Sequence, residues 1–454
     1  MESLKAIQSP GTAETRLSGW GRYPSCQGHI VNPESISALP NCFAQTDGLL
    51  PRGMGRSYGD AAISNSSTVI LTRRLNQILD FDEEKGILRC QPGLNFEELI
   101  NTFLPRGWFP PVTPGTKYVT MGGALASDIH GKNHHKDGSF VNFVNSFKII
   151  CADGEKLNCS RNENSELFHA TAGGMGLTGL ISELELSLLK VASPYVLVKK
   201  IRCKNLAETY EQIEANEKDY PYSVSWIDCL AAGSSLGRSI LILGKHADKS
   251  LDAGETPTLE ARQGITIPFD MPSWILNRYS IGSFNQLYYT VQEASGQEKV
   301  SHFNPYFYPL DFLADWNRLY GKAGFIQYQC ALPQENSKAG LEEILTLSSK
   351  RGRSSFLAVL KKFGKAQGLL SFPIPGYTLT LDMPVKDGLF EFTKELDEIV
   401  LKHGGRIYLA KDACLSAENF RKMYPALPEW LAIKRGVDPK NRFSSSLAER
   451  LQLK

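Results

Sequence analysis

Leucines at 184, 186 and 188 alternate with Glu183, Glu185 and Ser187. Period-two alternation puts one kind of side chain on each face of a strand, so "LISELELSLL" (180–189) predicts a half-buried strand. "STVILT" (67–72) and "KGILRC" (85–90) read as short strands as well. The period then changes. "NFEELINTFL" opens on Asn95 as N-cap, with Glu98 three residues on, a capping box that predicts a helix. In "FKIICADGEKLNC" two apolar runs flank Asp153-Gly154, the pattern of a hairpin. "LAETYEQIEANEKDY" (206–220) predicts an amphipathic helix. Residues 247–300 are the least regular: "ADKSLDAGETPTLEARQG" is polar and loop-like, and "MPSWILNRYSIGSFNQLYY" is rich in aromatics. Beyond them "FIQYQCAL", "YTLTLDMP" and "GRIYLAKDA" read as strands separated by helical stretches. The sequence shows no internal repeat.

At 454 residues the chain is too long for one core, so two domains are the expectation. A hydrophobic fraction of 42% with 22% charged residues describes a folded globular protein. A net charge of +2 offers no footprint for nucleic acid. The cysteines number nine, an odd count with no C-x-x-C pair, which argues for a reducing compartment and against a disulfide scaffold or zinc ribbon. The first residues lack an apolar signal region, and no apolar window is long enough to span a bilayer. Together these predict a cytoplasmic protein.

Glycine-rich stretches carry the first chemical signal. They are "PRGMGRSYGD" (51–60), "PGTKYVTMGGALASDIHG" (114–131) and "TAGGMGLTGL" (171–180). The last holds a formal G-x-G-x-x-G at Gly174, Gly176 and Gly179. A helical pattern precedes it and a strand follows, the reverse of the order a Rossmann dinucleotide site needs. The first two fit a phosphate cradle, because glycine lets backbone N–H groups approach an anion, and Arg52 and Arg56 offer charge nearby. For each stretch taken singly, a tight turn is the competing reading.

Strand parity carries the second signal. In "FIQYQCAL", Gln327 and Gln329 share a face opposite Ile326, Tyr328 and Cys330; in "YTLTLDMP", Thr378, Thr380 and Asp382 share a face opposite Leu379, Leu381 and Met383. Two neutral, hydrogen-bonding faces suit sugar hydroxyls; a solvent-facing sheet is the alternative. In "GRIYLAKDA", Lys411 shares parity with Ile407 and Leu409, a costly place for a lysine unless it is paired or lies past the strand. The histidines of "DIHGKNHH" (128–135) lack the acidic or cysteine partners of a metal site, and no metal is expected.

These stretches resemble the FAD-binding half of the vanillyl-alcohol-oxidase-type (PCMH) flavoproteins. "DIHGKNHH" and "LSFPIPGY" (370–377) mark the branch that acts on polyprenyl-phosphoryl-β-D-ribose, and the likeness covers nearly the whole chain outside 235–300. The resemblance implies an α+β fold: an FAD-binding domain at 1–192, a separate antiparallel-sheet substrate domain at 193–411, and a segment at 412–454 returning to the first. It implies non-covalent FAD, since Arg56-Ser57-Tyr58 stands where relatives carry an attaching histidine. The cofactor would lie on Arg52, Gly53, Met54, Gly55, Arg56, Ser57, Tyr58 and Gly59 of the first loop. Gly115, Thr120, Met121, Gly122, Gly123, Ser127, Asp128, Ile129 and His130 of the second would follow, with Ile181 and Tyr408. Lys411, Tyr58, Lys132 and Gln329 would be catalytic, with Lys411 balancing charge beside the flavin. Gln327, Lys361, Thr378 and Thr380 would bind substrate; the branch has asparagine and cysteine at the last two positions, which leaves the substrate's identity open. The implied reaction is oxidation of a sugar secondary alcohol, most specifically the ribose 2′-OH, with a partner short-chain reductase completing an epimerisation to arabinose for a bacterial cell-wall arabinan. Residues 265–290 would touch the inner membrane peripherally, or else pack ordinarily. The alternatives are a soluble alditol or aldonolactone oxidase of the same superfamily, and a flavin-binding interaction subunit without turnover.

Overall fold

The computed structural model describes residues 13–44, 46–248, 264–353 and 355–453, a mixture of helices and sheets. A four-stranded sheet orders its strands Ala13–Ser18, Ser25–Val31, Thr68–Leu71, Leu49–Arg52. A five-stranded sheet runs Ile78–Asp82, Ile87–Cys90, Leu180–Ser187, Val144–Ile150, Lys156–Ser160. The local patterns hold: Leu184 and Leu186 are buried while Glu183 and Glu185 are not. The 144–150 and 156–160 strands pair across a turn at Asp153-Gly154, where Gly154 takes φ = +93°. Asn95 and Glu98 form the reciprocal capping box that opens helix Phe96–Phe103.

The largest sheet has eight strands. Their order is Ser295–His302, Tyr195–Cys203, Ser239–His246, Tyr222–Ile227, Ala358–Phe363, Gly376–Pro384, Phe325–Pro333, Arg406–Ile407. Its centre holds a duplication of topology that the sequence does not reveal. Strand 195–203, helix Leu206–Asn216, strand 222–227 and strand 239–246 make one strand–helix–strand–strand unit. Strand 325–333, helix Gln334–Arg351, strand 358–363 and strand 376–384 make another. In each unit the last strand inserts antiparallel between the first two, and the units meet where Trp226 pairs with Val359. Both helices cover one face, where Leu206, Ile213, Leu341 and Ile344 pack with Leu241, Leu243, Leu360 and Leu379. The other face is turned toward a cavity.

Two expectations change. Of the region read as irregular, 249–263 lies outside the described residues, but the rest is ordered. Asn277 caps helix Arg278–Val291 through a capping box with Ser280, and strand 295–302 joins the edge of the large sheet. The helix buries Ile281 and Asn285 while leaving Tyr279, Leu287 and Val291 exposed, so apolar residues lie on both of its sides and amphipathic periodicity is masked. In "GRIYLAKDA" the strand is only Arg406–Ile407; Lys411 lies in the turn after it, its N–H donating to the Tyr408 carbonyl at 2.9 Å. Parity is therefore not what aims Lys411.

The C-terminal residues pack back on the first two sheets. Phe443 bridges to Leu49, Arg450 forms ion pairs with Asp60 and Asp412 at 2.7 and 2.8 Å, and the Trp430 indole donates to Ala170 at 2.8 Å.

Candidate active site

A single cavity of about 1210 Å³ connects the glycine loops to the open face of the large sheet. That exceeds the roughly 300–1,000 Å³ of an ordinary ligand cleft, leaving room for a dinucleotide and a second molecule.

The first wall is the loop after strand 49–52. Gly55 takes φ = +64°, and a Cβ there would stand 2.2 Å from an Arg52 guanidinium nitrogen, so this turn requires glycine. Among the hydrogen bonds of the described residues, the N–H groups of Met54, Gly55, Arg56 and Ser57 donate to no protein acceptor. The Ser57 hydroxyl is buried and equally without a partner. Donors left free in a concave loop, with a buried hydroxyl among them, are an anion cradle. Of the two arginines, one is already engaged by protein carbonyls. Arg52 donates to the Ala62 and Ser18 carbonyls at 2.7 and 2.8 Å, and Arg56 lies 4.1 Å from the centre of the Trp20 ring. Arg52 thus holds the loop, whereas the Arg56 guanidinium donates to no protein acceptor among the described residues and lines the cavity.

The second wall is formed by Gly115, Thr120, Gly122, Gly123, Ser127, Ile129 and His130, with Ile181 beside them. Thr120 caps the short helix Met121–Ala126, accepting from the Gly123 N–H. The G-x-G-x-x-G stretch, discounted as a Rossmann site, still supplies Met175, Gly176 and Gly179 to this wall. Helix Ser165–Thr171 precedes it and a strand follows, as the pattern predicts. The signal that marks it is the pair of left-handed glycines, φ +75° and +153°.

The polar patch lies on the second unit of the large sheet. Gln327, Gln329, Lys361 and Thr380 project into the cavity, joined by Lys132, Lys411, Tyr58 and Tyr408. The Gln329 amide nitrogen lies 3.0 Å from His130 Nε2 and 3.1 Å from the Thr378 hydroxyl. If that amide donates, the imidazole carries its proton on Nδ1, a buried atom with no protein partner. Burial, reinforced by Lys361, pushes the His130 pKa far down, so the ring is neutral. Tyr408 donates to the Ser127 carbonyl at 2.8 Å and stacks on Phe372.

The lysines of this patch are desolvated. Burial and the neighbouring Lys361 lower Lys132 to about 7, and burial lowers Lys361 to about 8. Lys132 donates to the Phe307 carbonyl at 3.0 Å and lies over the Tyr306 ring. The Lys411 ammonium lies 3.7 Å from the centre of the Tyr58 ring. Burial lowers the Lys411 pKa against the pull of Asp382, and the same burial raises the Asp382 carboxyl. Asp382, which sequence parity placed on the polar face without assigning it a role, accepts from the Gln327 amide. Burial raises the Tyr58 phenol, so it holds its proton.

Four expected residues lie off the cavity wall. The Gly59 backbone packs against the Asp412 carbonyl, where a Cβ would fall 1.6 Å from the oxygen. Met121 is wholly buried in the core. Asp128 is buried and accepts from Ser139 at 2.7 Å and from Ser371. Thr378 stands behind Gln329. The His134 ring accepts from the Gly364 N–H at 3.0 Å and packs on Phe363, a structural role. Residues that sequence reasoning missed include Val198, Val224, Trp226 and Ile242 on the first unit, and Tyr306. Applying strand parity to "YSVSWIDC" puts Val224 and Trp226 on one face and so finds two of them.

Comparison with known proteins agrees with this geometry. A family model described as an FAD binding domain matches residues 29–160, and one described as D-arabinono-1,4-lactone oxidase matches residues 381–451. The decaprenylphosphoryl-beta-D-ribose oxidase of Mycolicibacterium smegmatis is 37% identical, over 97% of this chain and 98% of that protein. The L-gulonolactone oxidase of Scyliorhinus torazame is 21% identical, over 97% of this chain and 99% of that one. The human Delta(24)-sterol reductase is 29% identical over 125 residues, 28% of this chain and 24% of its own length. The cofactor is FAD, and the free donors of residues 54–57 are the groups that fit its pyrophosphate.

Proposed function

The chain belongs to the decaprenylphosphoryl-β-D-ribose oxidase family of FAD-dependent oxidoreductases, and from that premise we propose that it oxidises the ribose 2′-OH of a polyprenyl-phosphoryl-β-D-ribose to the ketone. One observation carries the reading. The cavity joins a cationic, hydrogen-bonding patch of Lys132, Lys361, Lys411, Gln327 and Gln329 to a wall of apolar side chains. A lipid-linked sugar phosphate has this same order of chemistry: hydroxyls, then anion, then hydrocarbon.

FAD, when bound, supplies the acceptor for the carbinol hydrogen. The chain does the rest. Gln327, Gln329 and Thr380 orient the sugar. Lys132 and Lys361, when protonated, hold the phosphate. Lys411 takes the hydroxyl proton, because burial lets its amine shed a proton near neutrality, whereas the raised Tyr58 phenol keeps its own. His130 presents Nδ1–H as a fixed donor.

Several further expectations belong to this reading. FAD is held without a covalent bond, because the loop 53–58 offers no histidine or cysteine; acid should release it. The division at 192 and 411 is supported by the eight-stranded sheet taking all its strands from 195–407. No helix of the described residues is long and apolar enough to cross a membrane. A peripheral membrane contact is supported by exposed Trp274, Tyr279, Leu287 and Val291 around one helix. The ketone product calls for a partner reductase.

The test is anaerobic mixing with polyprenyl-phosphoryl ribose while watching the flavin's visible band. Bleaching supports the reading. Bleaching by aldonolactones or alditols but not by the lipid-linked sugar would replace it with the soluble-oxidase alternative. No bleaching by any of them would leave a flavin-binding subunit.

A further inference from the structure

Beyond the polar patch the cavity continues across the first unit of the large sheet, beneath helix Arg278–Val291. We infer that this arm is the binding channel for the first part of the substrate's hydrocarbon chain, which follows the sugar at Thr380 and the phosphate at Lys132 and Lys361 and crosses the sheet toward Lys200. The inference rests on the proposed oxidation of a lipid-linked sugar and adds the chain's location and direction.

Val198, Val224, Trp226 and Ile242 form the floor; Ile281, Phe284 and Tyr288 form the roof. The Trp226 indole N–H donates to the Phe356 carbonyl at 3.0 Å, leaving ring carbons for the cavity. A bridging water needs two to four polar partners, and among the side chains of this floor and roof the Tyr288 hydroxyl alone is left to offer one. A sugar would lose hydrogen bonds here for the same reason. Hydrocarbon is the occupant that loses nothing and gains dispersion contacts with both surfaces.

The roof is tied to the sheet at its middle and at its C-terminal end, so the arm is preformed. Asn285, wholly buried, donates to Asp228 at 2.8 Å, and the Tyr288 ring lies 4.6 Å from that of Trp226. Arg202 donates to the Thr290 and Gln292 carbonyls at 3.1 and 2.9 Å. From the strand of Thr380 to that of Val198 the order is 376–384, 358–363, 222–227, 239–246, 195–203. Those strand-to-strand steps span about 19 Å at ~4.8 Å each. The lining turns polar again at Lys200, which donates to Gln292 at 2.9 Å, and at Ser301. That polar end is where the remainder of a long chain emerges.

Two experiments test this on the FAD-loaded protein. Farnesyl phosphate bearing a diazirine at the chain end is photolysed, and the labelled residues are mapped. Saturable labelling at Val198, Val224, Ile242 or Ile281 is expected. Labelling confined to the outer face of the helix, at Tyr279, Leu287 and Val291, or no saturable labelling, would overturn the inference. In the second, Ile242→Trp narrows the arm. The ratio of kcat/KM for farnesyl-phosphoryl ribose over methyl-phosphoryl ribose, which has no chain to place in the arm, should fall about tenfold; an unchanged ratio would overturn the inference. Labelling in the arm without flavin bleaching by either sugar would refute the proposed oxidation and leave the channel standing.

Discussion

Ile242 and Thr380 occupy equivalent strands of the two repeated units. Ile242 pairs with Lys200 and Val224, and Thr380 pairs with Gln329 and Val359. The backbone ladders match, and the helix-facing sides of both units are apolar. The cavity-facing sides diverge: Val198, Val224, Trp226 and Ile242 on one unit, with Lys200 at its far end, and Gln327, Gln329, Lys361 and Thr380 on the other, with Val359 among them. Ladder hydrogen bonds use only backbone groups, so one topology accepts either chemistry on its free face. The difference teaches how a single sheet can read an amphipathic molecule along its length, sugar on one unit and hydrocarbon on the other.

The comparison breaks first at Lys411. Lys411→Ala should keep its FAD and slow flavin reduction by substrate roughly 10³-fold. Lys411→Arg should not restore it, because a guanidinium does not give up its proton; unchanged single-turnover reduction in either variant would remove Lys411 from the chemistry. Next in size is Gln329→Leu, which makes the polar unit resemble the apolar one. It strands His130 Nε2 and the Thr378 hydroxyl, and kcat/KM should drop about 10–100-fold, the equivalent of ~1–3 kcal/mol for buried groups left unpaired. A drop confined to KM would make Gln329 a binding group only.

A smaller effect is expected from pH. Lys132 and Lys361 are charged below their lowered values of about 7 and about 8. Raising the pH discharges both, so the affinity for a phosphate-bearing substrate should fall as pH climbs from 7 to 9. By pH 9 a group near 8 keeps about a tenth of its charge, and KM should rise about tenfold. Lys361→Met should flatten that profile above pH 8, whereas an identical profile would assign the titration elsewhere. Smallest is Asn277→Ala, which removes the cap of the helix roofing the apolar unit. It should cost about 1 kcal/mol of stability, seen in thermal unfolding. A cost several times larger would mean that this helix holds the sheet itself.

Much of the fold was legible because its signals are local. The Asn95–Glu98 box, the Asp153-Gly154 hairpin and the alternation at 184–188 each specify backbone geometry within a few residues. Parity found the polar patch for the same reason, since Gln327 and Gln329 need only a strand to share a face. The same logic misled at Lys411, because the strand ends at Ile407 and a turn redirects the chain. Arg52 shows a different limit. Its charge suggests an anion contact, yet the Ala62 and Ser18 carbonyls occupy its guanidinium. The helix at 278–291 was hidden because apolar residues on both its sides erase the usual period.

By itself, then, the sequence determined the elements, the glycine loops and the faces of the strands, all set by interactions over a few residues of chain. Only the tertiary structure decided that the glycine loops and strand 325–333 share one cavity, that His130 meets Gln329 across 199 positions, and that a second sheet unit carries the apolar arm. The physical reason is that burial and electrostatics depend on distance in space. A lysine's pKa, an amide's partner and a water-excluding wall come into being only when remote segments close around the same volume.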